Sequence, residues 1–88
     1  MIVLIANLGS TSFKYKLFDM TMSHERVLAD GASERIGMVG SNWSVTAGDK
    51  SLQGDVDLPD HAAAIELALN KLVELGALKS ADDLEAIG

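Results

Sequence analysis

The chain has 88 residues, 48% of them apolar and 23% charged, with no cysteine and a formal net charge of −6. This is one domain at most, with the composition of a folding chain and not of a disordered tail. A disulfide framework, a thiolate zinc site and a cysteine nucleophile are excluded, and no apolar run reaches the roughly 18 residues of a membrane span.

Ile2-Val3-Leu4-Ile5-Ala6 is a short, β-branched apolar run, which predicts a strand buried on both faces. Asn7-Leu8-Gly9-Ser10-Thr11 predicts a turn, with Gly9 free to take positive φ. From Ser12 the pattern alternates. Phe13, Tyr15 and Leu17 fall on one face, and Ser12, Lys14, Lys16 and Phe18 on the other. The first two elements therefore form a β-hairpin. After a polar connection, Arg26 to Ala32 predicts a third strand that can extend to Ile36. Trp43, Val45 and Ala47 alternate with polar residues, Gly48-Asp49 is a turn, and Lys50 to Gln53 is a weak return strand.

Pro59 and Asp60 open a helix that runs to Leu75 and stops at Gly76. Its apolar stripe is Ile65, Leu69, Leu72 and Val73. Ser80-Ala81-Asp82-Asp83 resembles a capping box that opens a short helical turn, and Ile87 begins another strand. The fold class is thus α+β or α/β, a sheet of hairpins followed by one main helix.

The charge is unevenly spread. Residues 1–54 balance five acids against five bases, whereas residues 55–88 carry eight acids and two bases. The second part repels nucleic acid and anionic membrane, so neither is an expected partner. An anionic ligand is met in the first part, where Lys14 and Lys16 lie close together. The N-terminus lacks the basic region and cleavage site of a secretion signal, which makes a cytoplasmic location the expectation.

Ser10, Ser12 and Lys14 recur at every second position. An extended chain projects all three from one face, about 6.5–7 Å apart. They follow a glycine turn that also presents Asn7. Backbone N–H groups, hydroxyls and an ammonium together suit an anion, most naturally a phosphate. Asn7 offers a neutral oxygen to a metal such as magnesium, directly or through water. The spacing is not that of a P-loop, which needs a second glycine before the lysine and a helix after it. On spacing alone, a plain polar-faced hairpin stays open as the alternative. His24 and His61 read as surface or capping residues. Asp55 and Asp57 read as acids at the helix entry that complement its dipole. Trp43 reads as core or half-exposed sheet.

The segment from Ile2 through Asn7-Leu8-Gly9-Ser10-Thr11-Ser12-Phe13-Lys14-Tyr15 to Met20 resembles the N-terminus of the acetate kinase family. That family opens with a strand, then Asn-Ala-Gly-Ser-Ser-Ser-Leu-Lys-Tyr, then a second strand ending in an acidic residue. This chain departs from it at Leu8, Thr11 and Phe13. The likeness continues in Val27 to Gly31, Glu34 to Gly37 and His61 to Leu72. It ends in Ala86-Ile87-Gly88, which is similar to the start of the strand leading to the family's His-Arg-x-x-His-Gly-Gly segment.

The resemblance implies the N-terminal part of a ribonuclease-H-like domain with a mixed sheet, in the superfamily of acetate and sugar kinases, heat-shock proteins and actin. It implies reversible phosphoryl transfer between ATP and a short carboxylate, giving an acyl phosphate, with magnesium. Asn7 then helps hold the metal. Gly9, Ser10, Thr11, Ser12 and Lys14 lie near the transferred phosphate. No catalytic residue is expected within residues 1–88. The expected organisation is an incomplete first domain with the second absent, and the expected oligomer is a homodimer or a self-associating fragment. Butyrate or propionate as substrate remains open, as does a stand-alone α+β interaction module without activity.

Overall fold

A computed structural model describes residues 1–21, 23–80, 84 and 86–87. Six strands and one helix follow in the order β1 (Ile2–Leu8), β2 (Ser12–Met20), β3 (Glu25–Glu34), β4 (Asn42–Ala47), β5 (Lys50–Asp55), α1 (His61–Glu74) and β6 (Ala86–Ile87). They form one sheet with strand order β5-β4-β3-β2-β1-β6. Neighbouring strands from β1 to β5 are antiparallel, and β6 pairs parallel to β1, so the sheet is mixed. Both expected hairpins and the strand at Ile87 are present. The turn expected at Ser80 to Asp83 falls mainly on residues outside those described.

Local chemistry explains the turns. Gly48 takes φ 64° as the first of two residues between Ala47 and Lys50, the placement a type II′ hairpin turn requires. Asp60 caps α1, accepting from the Ala63 N–H at 2.9 Å. Gly76 ends the helix at φ 79°, with the Ala77 N–H donating back to the Leu72 carbonyl at 3.0 Å.

The core lies between one face of the sheet and α1. Leu4, Phe13, Tyr15, Leu17, Ala29 and Val45 meet Ala64, Ala68 and Leu72, with Ile36, Leu58 and Leu78 closing the ends. Two expectations need correction here. Leu72 of the expected stripe is fully buried and Ile65 and Leu69 pack half-buried against the core, but Val73 is 37% exposed, and the other buried helix positions are Ala64 and Ala68. Small alanines let the helix backbone approach the sheet, so the bulkier residues lie beside the contact line. Strand β1 is also not buried on both faces. Leu4 is fully buried but Ile5 is 45% exposed, because α1 covers only one face. The opposite face carries the candidate site.

Candidate functional site

The hairpin of β1 and β2 brings the sequence candidates together. Strand β1 runs two residues further than expected, so Asn7 and Leu8 are strand residues and not part of the turn. Asn7 then pairs with Lys14 directly across the hairpin. Ile5 pairs with Lys16 on the same face, and Lys16 pairs in turn with Asp30 of β3. Directly opposed side chains on one face lie within about 5.5 Å at Cβ. Asn7, Lys14, Lys16 and Asp30 are all exposed. They line a groove of about 460 Å³ whose apolar floor includes Ile5 and Phe18.

Ser12 shares the face of Lys14 in β2, as its spacing predicts. Ser10 does not extend that row. It lies with Thr11 in the bend between the strands, so the evenly spaced triplet is in fact a strand pair preceded by a loop residue. Gly9 also differs from expectation, since its φ is not in the left-handed region. The bend is nonetheless tight there. A Cβ on Gly9 would lie 2.5 Å from Ser12 Oγ, and the Gly9 N–H donates to the Ser12 carbonyl at 2.9 Å.

His61, expected to be a surface or capping residue, instead reaches this bend. Its Nε2 lies 2.7 Å from the Gly9 carbonyl and 3.2 Å from the Ser12 carbonyl. The pairing spans about half the chain, so no local pattern announces it. His24 stays in the β2–β3 connection, where its backbone N–H donates to Thr21 Oγ1. Asp55 ends β5 and Asp57 precedes Leu58; the first turn of α1 contains no acid, so neither complements the helix from within it. Asp60 meets the helix end as its cap, accepting from the Ala63 N–H. Trp43 is half-buried in β4, with Lys71 Nζ 4.8 Å from its ring centroid.

Chemically the face carries the Lys14 and Lys16 ammonium groups, the neutral amide of Asn7 and the Asp30 carboxylate, which stands opposite Lys16. Tyr15, beneath it in the core, is pushed up to about 12 by burial and, secondarily, by the Asp30 carboxylate. It stays a neutral phenol at ordinary pH and is no general base. Among the described residues no group of three or more His, Cys, Asp or Glu is placed to hold a metal. A divalent ion here would take one oxygen from Asn7 and the rest from water and phosphate. That arrangement suits magnesium, which usually retains several waters.

The model of the acetokinase family matches residues 2–88. The chain belongs to the acetokinase family. The acetate kinase of Phocaeicola vulgatus is 49% identical over 90 residues, and that of Anoxybacillus flavithermus 40% over 86. Each comparison covers 98% of this chain but only 22% and 21% of the relative. The crystal structure of Porphyromonas gingivalis acetate kinase superposes with a TM-score of 0.87 at 36% identity, covering 99% of this chain and 22% of that one. A propionate kinase from Francisella tularensis shares the fold, with a TM-score of 0.78 at 24% identity. The chain therefore spans about a fifth of the length of these family members. The sheet and helix are those of the N-terminal part of an actin-like, ribonuclease-H-like domain. Among the described residues no helix is long and apolar enough to cross a membrane.

Proposed function

We propose that residues 1–88 are the phosphate- and magnesium-binding part of a kinase that moves phosphate between ATP and a short carboxylate such as acetate, giving an acyl phosphate. The observation that carries this is the direct pairing of Asn7 with Lys14 beside a glycine turn, on the uncovered face of the sheet. Phosphoryl transfer asks little covalent chemistry of the protein. It asks for positioning and for neutralisation of charge on the transferred group. The Lys14 ammonium supplies a positive charge, Ser10, Thr11 and Ser12 supply hydroxyl donors, and Gly9 lets the bend close tightly. Asn7 holds the magnesium, whose chemistry is to draw charge from the phosphate oxygens.

The phosphate face accounts for neither the carboxylate substrate nor adenine, whose binding groups are assigned elsewhere. These groups come from the remainder of a chain of the relatives' length, in a first domain completed there and a second domain beyond it. The isolated 88 residues therefore make no acyl phosphate. A cytoplasmic, dimeric enzyme is the accompanying proposal. The choice among acetate, propionate and butyrate lies outside these residues.

The test is Lys14→Ala in a kinase of the relatives' length that carries these residues, assayed for acyl phosphate trapped by hydroxylamine. A loss of about a hundredfold or more in kcat/KM is expected, the scale of removing one preorganised donor. Full activity in that variant would remove the phosphate site from this face.

A further inference from the structure

We propose that His61 is a positioning residue that sets the direction of the Gly9–Ser10 peptide, and so aims the Ser10 N–H at the phosphate; this rests on the functional reading above. Two carbonyl oxygens face one ring nitrogen, Gly9 O at 2.7 Å and Ser12 O at 3.2 Å. Carbonyls only accept, so Nε2 carries the proton and donates to both. The imidazole tautomer is thus assigned by its surroundings.

The rest of the bend is tied down in the same way. The Ser12 carbonyl also takes the Gly9 N–H at 2.9 Å, and the Thr11 carbonyl takes the Ile36 N–H at 2.9 Å. In a planar trans peptide the C=O and the following N–H point in opposite directions. With the Gly9 carbonyl turned toward His61, the Ser10 N–H points away from α1. A donor on that side adds to those of the Lys14 face. If the tether is lost, the Gly9 carbonyl loses the hydrogen bond from His61 that holds its direction, and rotation about the Gly9 ψ and Ser10 φ can turn the peptide. Its reversed form presents a carbonyl oxygen where an anion needs a donor.

The ring is itself well placed to hold the bend. His61 is the first residue of α1, directly after the Asp60 cap. The helix is seated by Ala64, Ala68 and Leu72, and the residues before it are anchored where the Gly37 N–H meets the Leu58 carbonyl. The bend is therefore indexed to the core through the His61 side chain and through the backbone bond from Ile36 to Thr11.

The experiment uses a kinase of the relatives' length carrying these residues, with His61→Ala, His61→Phe and His61→Gln compared. Phe keeps a ring without the donor, and Gln keeps an N–H donor without the ring. Ala and Phe are expected to lower kcat/KM for the nucleotide by about tenfold to a hundredfold, the scale of a small misplacement. The carboxylate KM should stay within about twofold. Gln should recover most of the loss, a rescue that a merely packing role would not give. If the Ala variant does not fold, the Phe and Gln pair still decides. In the wild type, the Ser10 amide proton should move downfield on saturation with ADP and magnesium, which needs no variant. Wild-type kinetics in a folded Phe variant, Gln no better than Phe, or an unmoved Ser10 amide would each overturn the proposal. Lys14→Ala runs alongside. If it is harmless the phosphate reading falls and this inference with it; if it is damaging and the His61 variants are not, only the inference falls.

Discussion

The hydroxyl end of the Tyr15 ring lies against Gly31, its partner across β2 and β3, so that the glycine makes room for the aromatic side chain. A Cβ at Gly31 would collide with the Tyr15 Oη and Cζ atoms and lie 2.6 Å from the Ser44 carbonyl. Because one collision is with backbone, no side-chain rotation relieves it. Gly31→Ala is expected to destabilise the fold by about 3 kcal/mol, the upper range of overpacking. Tyr15→Phe should rescue little of this, since Cζ and the Ser44 carbonyl remain. Urea unfolding of the two variants and the double variant checks both statements, and a neutral Gly31→Ala would refute the packing.

The same tyrosine predicts a response to alkali. Tyr15 is buried and stacks on Phe13 with ring centroids 5.1 Å apart. Its ionisation is raised from 10.0 to about 12 in the folded chain. Above pH 10 an unfolded chain releases this proton while the folded one keeps it. Stability is therefore intact below pH 10 and falls between about pH 10 and 12, by up to about 3 kcal/mol. Chemical denaturation across that window should show a slope that Tyr15→Phe flattens. An equal slope in both proteins would mean that the phenol ionises freely in the folded state.

Features carried by neighbouring residues were legible from sequence. The alternation of Phe13, Tyr15 and Leu17, the Gly48-Asp49 turn, the Asp60 cap and the Gly76 stop each express a preference spanning a few positions. The hairpin of the first two strands was legible in the same way, but the direct pairing of Asn7 with Lys14 was not, because the sequence places Asn7 in the turn and β1 runs on through Leu8. What failed was what depends on distant parts of the chain. The exposure of Ile5 follows from which face α1 covers, and nothing in Ile2 to Ala6 encodes that. The burial of Ala64 and Ala68 was hidden because hydrophobicity ranks leucine and isoleucine above alanine, whereas close approach ranks them the other way. The contact of His61 with Gly9 joins the helix entry to the first turn, and only the folded topology brings them together.

The corrected helix face has a direct consequence. Leu72 is fully buried and Val73 is 37% exposed, although both fall on the stripe read from sequence. Leu72→Ala is expected to cost about 3 kcal/mol through lost burial and the cavity left behind. Val73→Ala should stay within about 0.5 kcal/mol. Denaturant midpoints for the two variants settle the order, and similar losses at both positions would restore the sequence-based stripe.

Asn7 offers the sharpest separation of metal binding from structure. It is exposed on β1, paired with Lys14, and its backbone role in the strand survives any side-chain change. Asn7→Ala removes one oxygen that a magnesium ion would otherwise find there. Water can take its place, so the ion is still bound but less firmly positioned. The magnesium concentration for half-maximal rate in the complete kinase is therefore expected to rise by about tenfold, roughly 1.4 kcal/mol. Thermal stability should not change. Asn7→Asp behaves differently, because its carboxylate faces the Lys14 ammonium across the strands and draws that charge away from the phosphate. This variant should lose turnover even at saturating magnesium. A magnesium titration of the two variants distinguishes these effects: an Ala variant with an unshifted magnesium requirement would exclude Asn7 as a ligand, whatever its effect on rate.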